Sequence, residues 1–136
     1  MVESGIVEGT TQTPLGMIRI ANEVVAVIAG LSAMEIEGVA GMSGGIAGGI
    51  AEMLGRRNLS RGVKVEVGEH EAAVDLYIIV EYGARIAEVA LRAQENVKQA
   101  IETMTGLAVT EANVHVQGIH FDDQEDEQQK QQPRVK

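Results

Sequence analysis

Residues 62–83, GVKVEVGEHEAAVDLYIIVEYG, decide the fold of this chain. In the first part of the stretch, valines alternate with the charged residues Lys64 and Glu66. In the second part, apolar residues occupy the even-numbered positions from 74 to 82. A period of two is typical of strands that have one buried and one solvated face. Residues 68–71 form the turn between the two parts, so the stretch predicts an antiparallel β-hairpin.

A long amphipathic helix is predicted directly after the hairpin, from about residue 84 to residue 105. Its apolar residues recur three or four positions apart and form one stripe: Ile86, Val89, Ala90, Ala93, Val97, Ala100, Ile101 and Met104. Gly106 is expected to end the helix. Residues 107–121 then predict the last strand, in which a change of phase near Gly118 indicates a β-bulge.

Upstream of the hairpin, the pattern predicts a strand, a helix and a second strand. Residues 17–20 are the first strand. Asn22 is expected to cap a helix whose apolar residues continue to about Met34. Residues 39–42 are expected to form another short strand.

The predicted fold class is α+β. The order is β-α-β-(weak α)-β-β-α-β, in two layers, with a mixed sheet covered by helices on one face. The weak helix is weak because Gly48 and Gly49 each cost about 1 kcal/mol inside a helix. Residues 17–121 are expected to form a single domain, preceded by a flexible leader over residues 1–16. A disordered acidic tail is expected over residues 122–136.

Composition excludes several classes of protein. The 136 residues suit one domain, and the absence of cysteine excludes disulfides and thiol chemistry. The net charge of −9 argues against nucleic acid as a main partner, because phosphate binding needs a basic face. The longest uncharged run, residues 38–51, is shorter than the ~20 apolar residues of a membrane helix. The first residues lack the features of a secretory signal, so we expect a cytoplasmic protein without a membrane span.

Residues that commonly carry chemistry are few and scattered. The histidines are His70, His115 and His120. His70 falls in the hairpin turn, and the other two fall on opposite faces of the last strand unless the bulge resets the phase. A metal site needs three or four converging ligands, and the serines lack a G-x-S-x-G setting. We therefore expect no metal, no cofactor and no catalytic site.

The glycine-rich segment before the hairpin has three readings. Its small residues, among them Gly44, Gly45, Gly48 and Gly49, recur four positions apart, which permits close backbone contact with another element. The segment is therefore a flexible loop, or a contact surface for a second copy or a partner helix, or a phosphate-binding loop. The Walker pattern G-x-x-x-x-G-K-[ST] is absent, which weakens the third reading.

A basic group follows the glycines and consists of Arg56, Arg57, Arg61 and Lys64. It is either a solvated turn or a docking site for an acidic surface. That surface would belong to a partner, to anionic lipid or to the acidic tail of the chain itself.

Tyr77 and Ile79 indicate assembly. If helices cover only the even-numbered face of the long strand, these two apolar side chains are exposed on the other face. Neighbouring exposed apolar residues on an open sheet often mark an interaction surface. Burial of both under the leader or the glycine-rich segment is the alternative.

The sequence resembles the bacterial alkaline shock protein family, also called the Gls stress-protein family. The resemblance is carried by residues 55–107, GRRNLSRGVKVEVGEHEAAVDLYIIVEYGARIAEVALRAQENVKQAIETMTGL, and by V-x-V-x-G-I-H-F at 114–121. Upstream, IRIANEVVAVIAG at 18–30 and EIEGVAGM at 35–42 agree with it. It covers residues 15 to 121, and the family has no known catalytic residues to carry over.

The resemblance implies a cytoplasmic protein that associates with itself and has no enzymatic activity. In some members of this Gram-positive family, a small membrane-anchored partner holds the assembly beneath the membrane, in cell-envelope stress homeostasis. The short form here resembles the branch linked to control of acetyl-CoA carboxylase and fatty-acid synthesis. A scaffold of the envelope stress response is thus one expectation, and a regulatory binding protein that acts on carboxylase subunits is the other. A nucleotide- or phosphate-binding enzyme is the third hypothesis.

Overall fold

The computed structural model describes residues 10–44 and 59–121. Within these residues the elements follow one another in the order β1 (Thr10–Thr13), β2 (Gly16–Arg19), α1 (Asn22–Met34), β3 (Val39–Met42), β4 (Val63–Val67), β5 (Glu71–Glu81), α2 (Ile86–Thr105) and β6 (Ala108–His120). The α+β class and the predicted hairpin of β4 and β5 are confirmed. Residues 45–55 of the predicted weak helix, residues 1–9 of the leader and the tail over residues 122–136 lie outside the described residues.

The central element of the main sheet is β5. One of its edges pairs with β6 over the whole length, and this pairing is parallel. Its other edge is shared end to end by two shorter antiparallel strands, with β4 opposite residues 72–76 and β3 opposite residues 78–80. The sheet is therefore mixed, as predicted, and is three strands wide opposite residues 72–76 and 78–80 of β5.

The two helices cover one face of this sheet. The even-numbered residues of β5 from Ala72 to Val80 are buried, because they alternate onto the helix side. They pack against apolar residues of both helices and form one cluster, which includes Val25, Ala29, Ala33, Val89, Val97 and Ile101. The predicted arrangement of two layers with helices on one face is confirmed.

The predicted apolar stripe of α2 is buried only in its middle. Val89, Ala93, Val97 and Ile101 are buried. The ends of the stripe differ from the prediction, since Ile86 and Met104 are exposed. A helical period shows which side of a helix faces inward, but not where the underlying sheet stops. At its C-terminus α2 ends at Gly106, as predicted, with φ of 81° in the left-handed region.

Two predictions upstream are wrong. The leader expected over residues 1–16 includes strand β1, which pairs antiparallel with β2. The turn between them is held by the Thr13 hydroxyl, which donates to the Gly16 carbonyl at 3.0 Å. The expected cap of α1 is also displaced. Ala21 is the capping residue and Asn22 is already helical, with no side-chain hydrogen bond that caps the helix.

Candidate interaction surface on the open face of the sheet

The second face of the sheet, which we call the open face, carries the odd-numbered residues of β5. Ala73, Asp75, Tyr77 and Ile79 lie on it, and all four are half-buried. Tyr77 and Ile79 therefore lie on the predicted face, but neither is fully exposed. Neighbouring strands, rather than a covering element, account for the contacts described below.

A cluster of four side chains occupies the middle of the open face. The Tyr77 ring is stacked on the imidazole of His115, with centroids 4.5 Å apart and planes inclined by 12°. His115 Nε2 lies 3.2 Å from Asp75 Oδ1. From β4, the Lys64 Nζ lies 5.5 Å from the centroid of the Tyr77 ring, within the range of a cation–π contact. The register brings these residues together, because Tyr77 is opposite His115 and Lys64 is opposite Asp75.

The Asp75 carboxylate is held in its charged form. Hydrogen bonds from His115 and, next, from the Asn113 amide lower the pKa of Asp75 below its usual value of 3.8. The Asn113 Nδ2 donates to Asp75 Oδ1 at 3.1 Å. Within the described residues, Asp75 is the polar partner of the His115 ring. Asp75 therefore holds the His115 ring in the orientation in which it stacks on Tyr77.

Ile79 lies between two glycines on neighbouring strands. Gly41 of β3 is opposite it on one side, and Gly118 of β6 on the other. Its Cδ1 atom lies only 3.2 Å from the position that a Cβ at Gly118 would take, so the side chain rests over that glycine. This contact explains why Ile79 is half-buried although it lies on the open face.

The aromatic residues of the chain all lie outside the core cluster. Tyr77 is on the open face, and Tyr82 is stacked on Phe121 with centroids 5.1 Å apart. Tyr82 is 70% exposed and Phe121 is 41% exposed. The buried side of β5 was expected to continue through Tyr82, and this is wrong, because Tyr82 lies beyond the end of the strand.

The glycine-rich segment meets the sheet next to Tyr77. The Ser43 amide donates to the Tyr77 carbonyl at 2.8 Å, and the Tyr77 amide donates to the Gly62 carbonyl at 2.8 Å. The chain therefore leaves the sheet and returns to it at one residue of β5. A Cβ at Gly44 would lie 3.2 Å from the Arg61 Cγ, so the aliphatic part of Arg61 lies beside this glycine. Gly45, Gly48 and Gly49, also predicted to form the contact surface, lie outside the described residues.

Of the predicted basic group, Arg61 and Lys64 are described, whereas Arg56 and Arg57 lie outside the described residues. Lys64 is on the open face beside Tyr77. The Nε and Nη1 atoms of Arg61 are buried and have no hydrogen-bond partner within the described part of the chain. Whether the four basic residues form one docking surface stays a prediction.

His115 and His120 share a face. The bulge at Gln117 shifts the register, so that His115 is opposite Tyr77 and His120 is opposite Glu81. The bulge therefore resets the alternation of β6 and brings the two histidines to one face, an outcome that the sequence pattern had left open. No group of three or more metal-ligating side chains occurs among the residues that the structure describes. Neither described helix is long and apolar enough to cross a lipid bilayer.

Sequence reasoning missed the part that β6 contributes to the open face. Asn113 and His115 belong to the predicted last strand, but no pattern states which strand lies beside which. The parallel register with β5 brings them onto Tyr77 and Asp75. A prediction that this strand pairs with the second strand of the hairpin would have found them.

Comparison with known proteins identifies the family. Residues 10–121 match the model of the alkaline shock protein 23 (ASP23) family, described by a cell envelope-related function. YqhY of Bacillus subtilis is 44% identical over 110 residues, which are 81% of this chain and 82% of that protein. YloU of the same organism is 42% identical over 79% of this chain and 92% of its own length.

Other relatives and structures are more distant. A stress response regulator gls24 homolog of Streptococcus pyogenes is 31% identical over 80% of this chain and 62% of its own length. Among solved structures, a variant of the MamM C-terminal domain overlaps at a TM-score of 0.45 with 14% identity, over 72% of this chain and 98% of that one. That overlap is too weak to bear on function. On the family match and the identity to YqhY, this chain belongs to the alkaline shock protein family, whose described function is related to the cell envelope.

Proposed function

We propose that this protein is a non-catalytic binding protein of cell-envelope stress homeostasis that associates with itself through the open face. The observation that carries the proposal is the position of Tyr77 and Ile79 on a sheet face that neither α1 nor α2 covers. The family description and the stress-response relative support the cellular role. A cytoplasmic location belongs to the same proposal.

The chemistry of the open face suits a contact between proteins. Tyrosine is enriched at the centres of interfaces, where it buries a large area at a low cost in side-chain entropy. Here Tyr77 is already held in one orientation by its stack on His115, so little freedom would be lost on binding. Ile79 adds aliphatic surface directly beside it. A preorganised apolar centre of this kind favours a docking surface over a solvated face.

Polar groups surround this apolar centre. Lys64 and Asp75 flank Tyr77 on one side, and the Glu81–His120 pair, at 3.1 Å, lies beyond Ile79. An apolar centre with a polar rim is the usual anatomy of an interface. Because each copy carries a net charge of −9, two copies repel each other at long range. Added salt should therefore strengthen self-association, since it screens this repulsion.

The test is the molar mass of the purified full chain, measured by light scattering after size exclusion. We expect the wild type to elute above the monomer mass. The double change Tyr77→Glu and Ile79→Glu should shift it toward the monomer, because two carboxylates would be buried at the contact. Leu91→Glu is the matched control, since Leu91 is 52% exposed on the helix side.

Two outcomes would reject the open face as the contact. One is an unchanged mass in the double variant with a native circular dichroism spectrum. The other is dissociation by Leu91→Glu, which would place the contact on the helices.

Capture from native cells separates the two finer roles. Recovery of a small membrane-anchored protein with the tagged chain would support the envelope scaffold. Recovery of acetyl-CoA carboxylase subunits, lost in the Tyr77→Glu and Ile79→Glu variant, would support the regulatory role instead. Binding of either partner does not show that this chain is an enzyme. Turnover of a nucleotide by the pure protein would contradict the non-catalytic proposal.

A further inference from the structure

The outer edge of β6 has no strand partner among the described residues. β6 is 13 residues long and pairs with β5 along one edge only. An unpaired edge presents a row of free N–H and C=O groups and is a template for another strand. Which groups are free follows from the hydrogen bonds at its two ends.

The direction of the backbone groups alternates along β6. The Ala108 amide donates to the His70 carbonyl, and the His120 carbonyl accepts from the Tyr82 amide, so both ends of the strand face β5. In a parallel pair, the residue that donates to one neighbour also accepts from it, and the next residue faces away. Two bulges, at Thr110 and Gln117, each shift this alternation by one residue. The direction at His115 follows from its partner Tyr77, whose backbone bonds to Ser43 and Gly62 on the other edge of β5, so that His115 is the residue that faces β5. It follows that the backbone groups of Val114 and Val116 point to the free edge.

The first half of this edge is already occupied by side chains of α2. The Glu102 carboxylate accepts from the Val109 amide at 2.9 Å. The Gln94 amide donates to the Ala112 carbonyl at 2.8 Å. Both groups face away from β5, as the alternation requires once the bulge at Thr110 between them is counted. They leave the second half of the edge, from residue 113 onward, as the part open to a strand.

That second half lacks the usual protection of an edge. Residues 112–119, ANVHVQGI, contain no Lys, Arg, Asp, Glu or Pro. Natural sheets discourage pairing with short edge strands, charged side chains or proline. The opposite edge of this sheet follows the rule, because β4 has five residues and includes Lys64 and Glu66. In a chain of net charge −9, an uncharged stretch is also where two copies approach with least repulsion.

We propose that β6 pairs antiparallel with β6 of a second copy about a two-fold axis at His115. Val114 then exchanges hydrogen bonds with Val116 of the second copy, and Val116 with Val114 of the second copy. Symmetric registers centred on neighbouring residues fail. A centre at Val114 needs the carbonyl of Ala112, which is bonded to Gln94, and a centre at Val116 needs the backbone of Gly118, which faces β5.

This pairing deepens the proposed self-association and rests on it. It joins the two sheets into one, so that both open faces, each with its Tyr77 and Ile79, lie side by side on one continuous surface. The edge contact makes the dimer and the open-face contact joins dimers into larger assemblies, so the double variant Tyr77→Glu and Ile79→Glu should stop at the dimer mass. The two contacts involve different residues and can be broken separately.

A cysteine cross-link tests the register, and the chain offers a clean background because it has no cysteine. The two copies of His115 face each other in a pair whose Cα atoms are about 4.5 Å apart, a separation that a disulfide can bridge. His115→Cys should therefore give a disulfide-linked dimer under mild oxidation. Asn113→Cys should not, because four residues of strand separate its two copies by about 13 Å.

Proline at the free edge tests the backbone hydrogen bonds. In the His115→Cys background, Val116→Pro removes an amide that points outward and leaves the β5–β6 ladder intact, so the cross-link should be lost. Val116→Ala removes a comparable amount of packing and keeps the amide, so its cross-link should persist. Equal cross-linking in the two variants would overturn the proposal, and Val114→Pro repeats the test if Val116→Pro does not fold.

The variant Ile79→Glu distinguishes a contact through the open face from a contact through the edge of β6. If edge pairing is correct, the His115→Cys cross-link survives Ile79→Glu and is lost in Val116→Pro. The reverse result would show that copies meet through the open face alone, which overturns the edge pairing and leaves the proposed function standing. A monomeric wild type with no cross-link in any variant would overturn both.

Discussion

The phenol ring of Tyr77 is stacked on the imidazole of His115, 4.5 Å away on the neighbouring parallel strand. The backbone of the same tyrosine bonds to Ser43 and Gly62 on the other side. Tyr77 of β5 therefore contacts the ends of β3 and β4 on one side and β6 on the other. It also holds the base of the glycine-rich segment beside the open face. Contacts to three neighbouring segments therefore fix the position of Tyr77 in the middle of the open face.

The hydrogen bonds to Asp75 predict an acid dependence of stability. Because His115 and Asn113 lower the pKa of Asp75 in the folded state, this group stabilises the fold above its unfolded pKa. The contribution is lost as pH falls through the lower, folded pKa. Asp75→Asn should therefore lose less stability than the wild type on acidification. Urea midpoints between about pH 6 and about pH 2 measure the difference.

The control for this prediction is Glu66→Gln, which removes a carboxylate from β4 without touching the Asp75–His115 pair. It should keep the acid dependence of the wild type. Parallel curves for the wild type and Asp75→Asn would show that the pair contributes nothing to stability.

Two glycines beside the open face should respond to alanine in opposite ways. Gly62 has φ of 79°, and a Cβ there would lie 2.9 Å from the Met42 Cβ and 3.1 Å from the Tyr77 carbonyl oxygen. Gly62→Ala should therefore lower the free energy of unfolding by about 2 kcal/mol or more. At Gly41 no atom of the described residues lies within 4 Å of an added Cβ, so Gly41→Ala should be neutral or slightly stabilising. Equal effects in thermal unfolding would contradict the strand junction at Tyr77.

Local pattern was enough to predict the elements that have a strong period. The alternation in β4 and β5 and the stripe of α2 each state which side of the element is buried, and Leu76 and Val97 are buried accordingly. Even the bulge near Gly118 was readable, because the apolar phase changes there. These features depend on residues close together in sequence.

Features that depend on distant residues were not predictable. Nothing in the sequence states that β3 and β4 share one edge of β5, or that β6 takes the other edge in parallel. The stack of Tyr77 on His115 follows only from that register. The polar stretch of β1, TTQT, has no apolar alternation to mark it as a strand. Exposure of Tyr82 depends on where the helical layer ends, which periodicity does not report.

The core of the fold should be sensitive at its centre and tolerant on its helical surface. Leu76 is fully buried in the cluster between β5 and the helices, so Leu76→Ala should cost about 2–5 kcal/mol of stability. Leu91→Ala makes the same chemical change at a site that is 52% exposed, so it should cost less than about 0.5 kcal/mol. Urea unfolding followed by far-ultraviolet circular dichroism compares them. Similar costs would mean that the helices do not seal the even-numbered face of β5.

The contact between the two helices should depend on the amide of Asn96. Its Nδ2 donates to the Ser32 carbonyl at 2.8 Å and to Glu35 Oε1 at 3.0 Å, and so ties the end of α1 to α2. Asn96→Ala should lower stability by about 1 kcal/mol, because one hydrogen bond to a buried residue is lost. Gln99→Ala, on the exposed side of α2, should change stability by less than about 0.5 kcal/mol.

The stricter variant is Asn96→Asp, because it changes a donor into an acceptor at nearly constant shape. At neutral pH the new carboxylate faces the Ser32 carbonyl and the Glu35 carboxylate, so this variant should be less stable than Asn96→Ala. The same repulsion raises the pKa of the new acid in the folded state, so part of the loss should be recovered as pH falls through that value. Chemical unfolding of both variants at about pH 7 and about pH 4 measures how much stability Asn96→Asp recovers relative to Asn96→Ala. If Asn96→Asp stays as stable as Asn96→Ala at both pH values, the donor role of Asn96 between the helices is refuted.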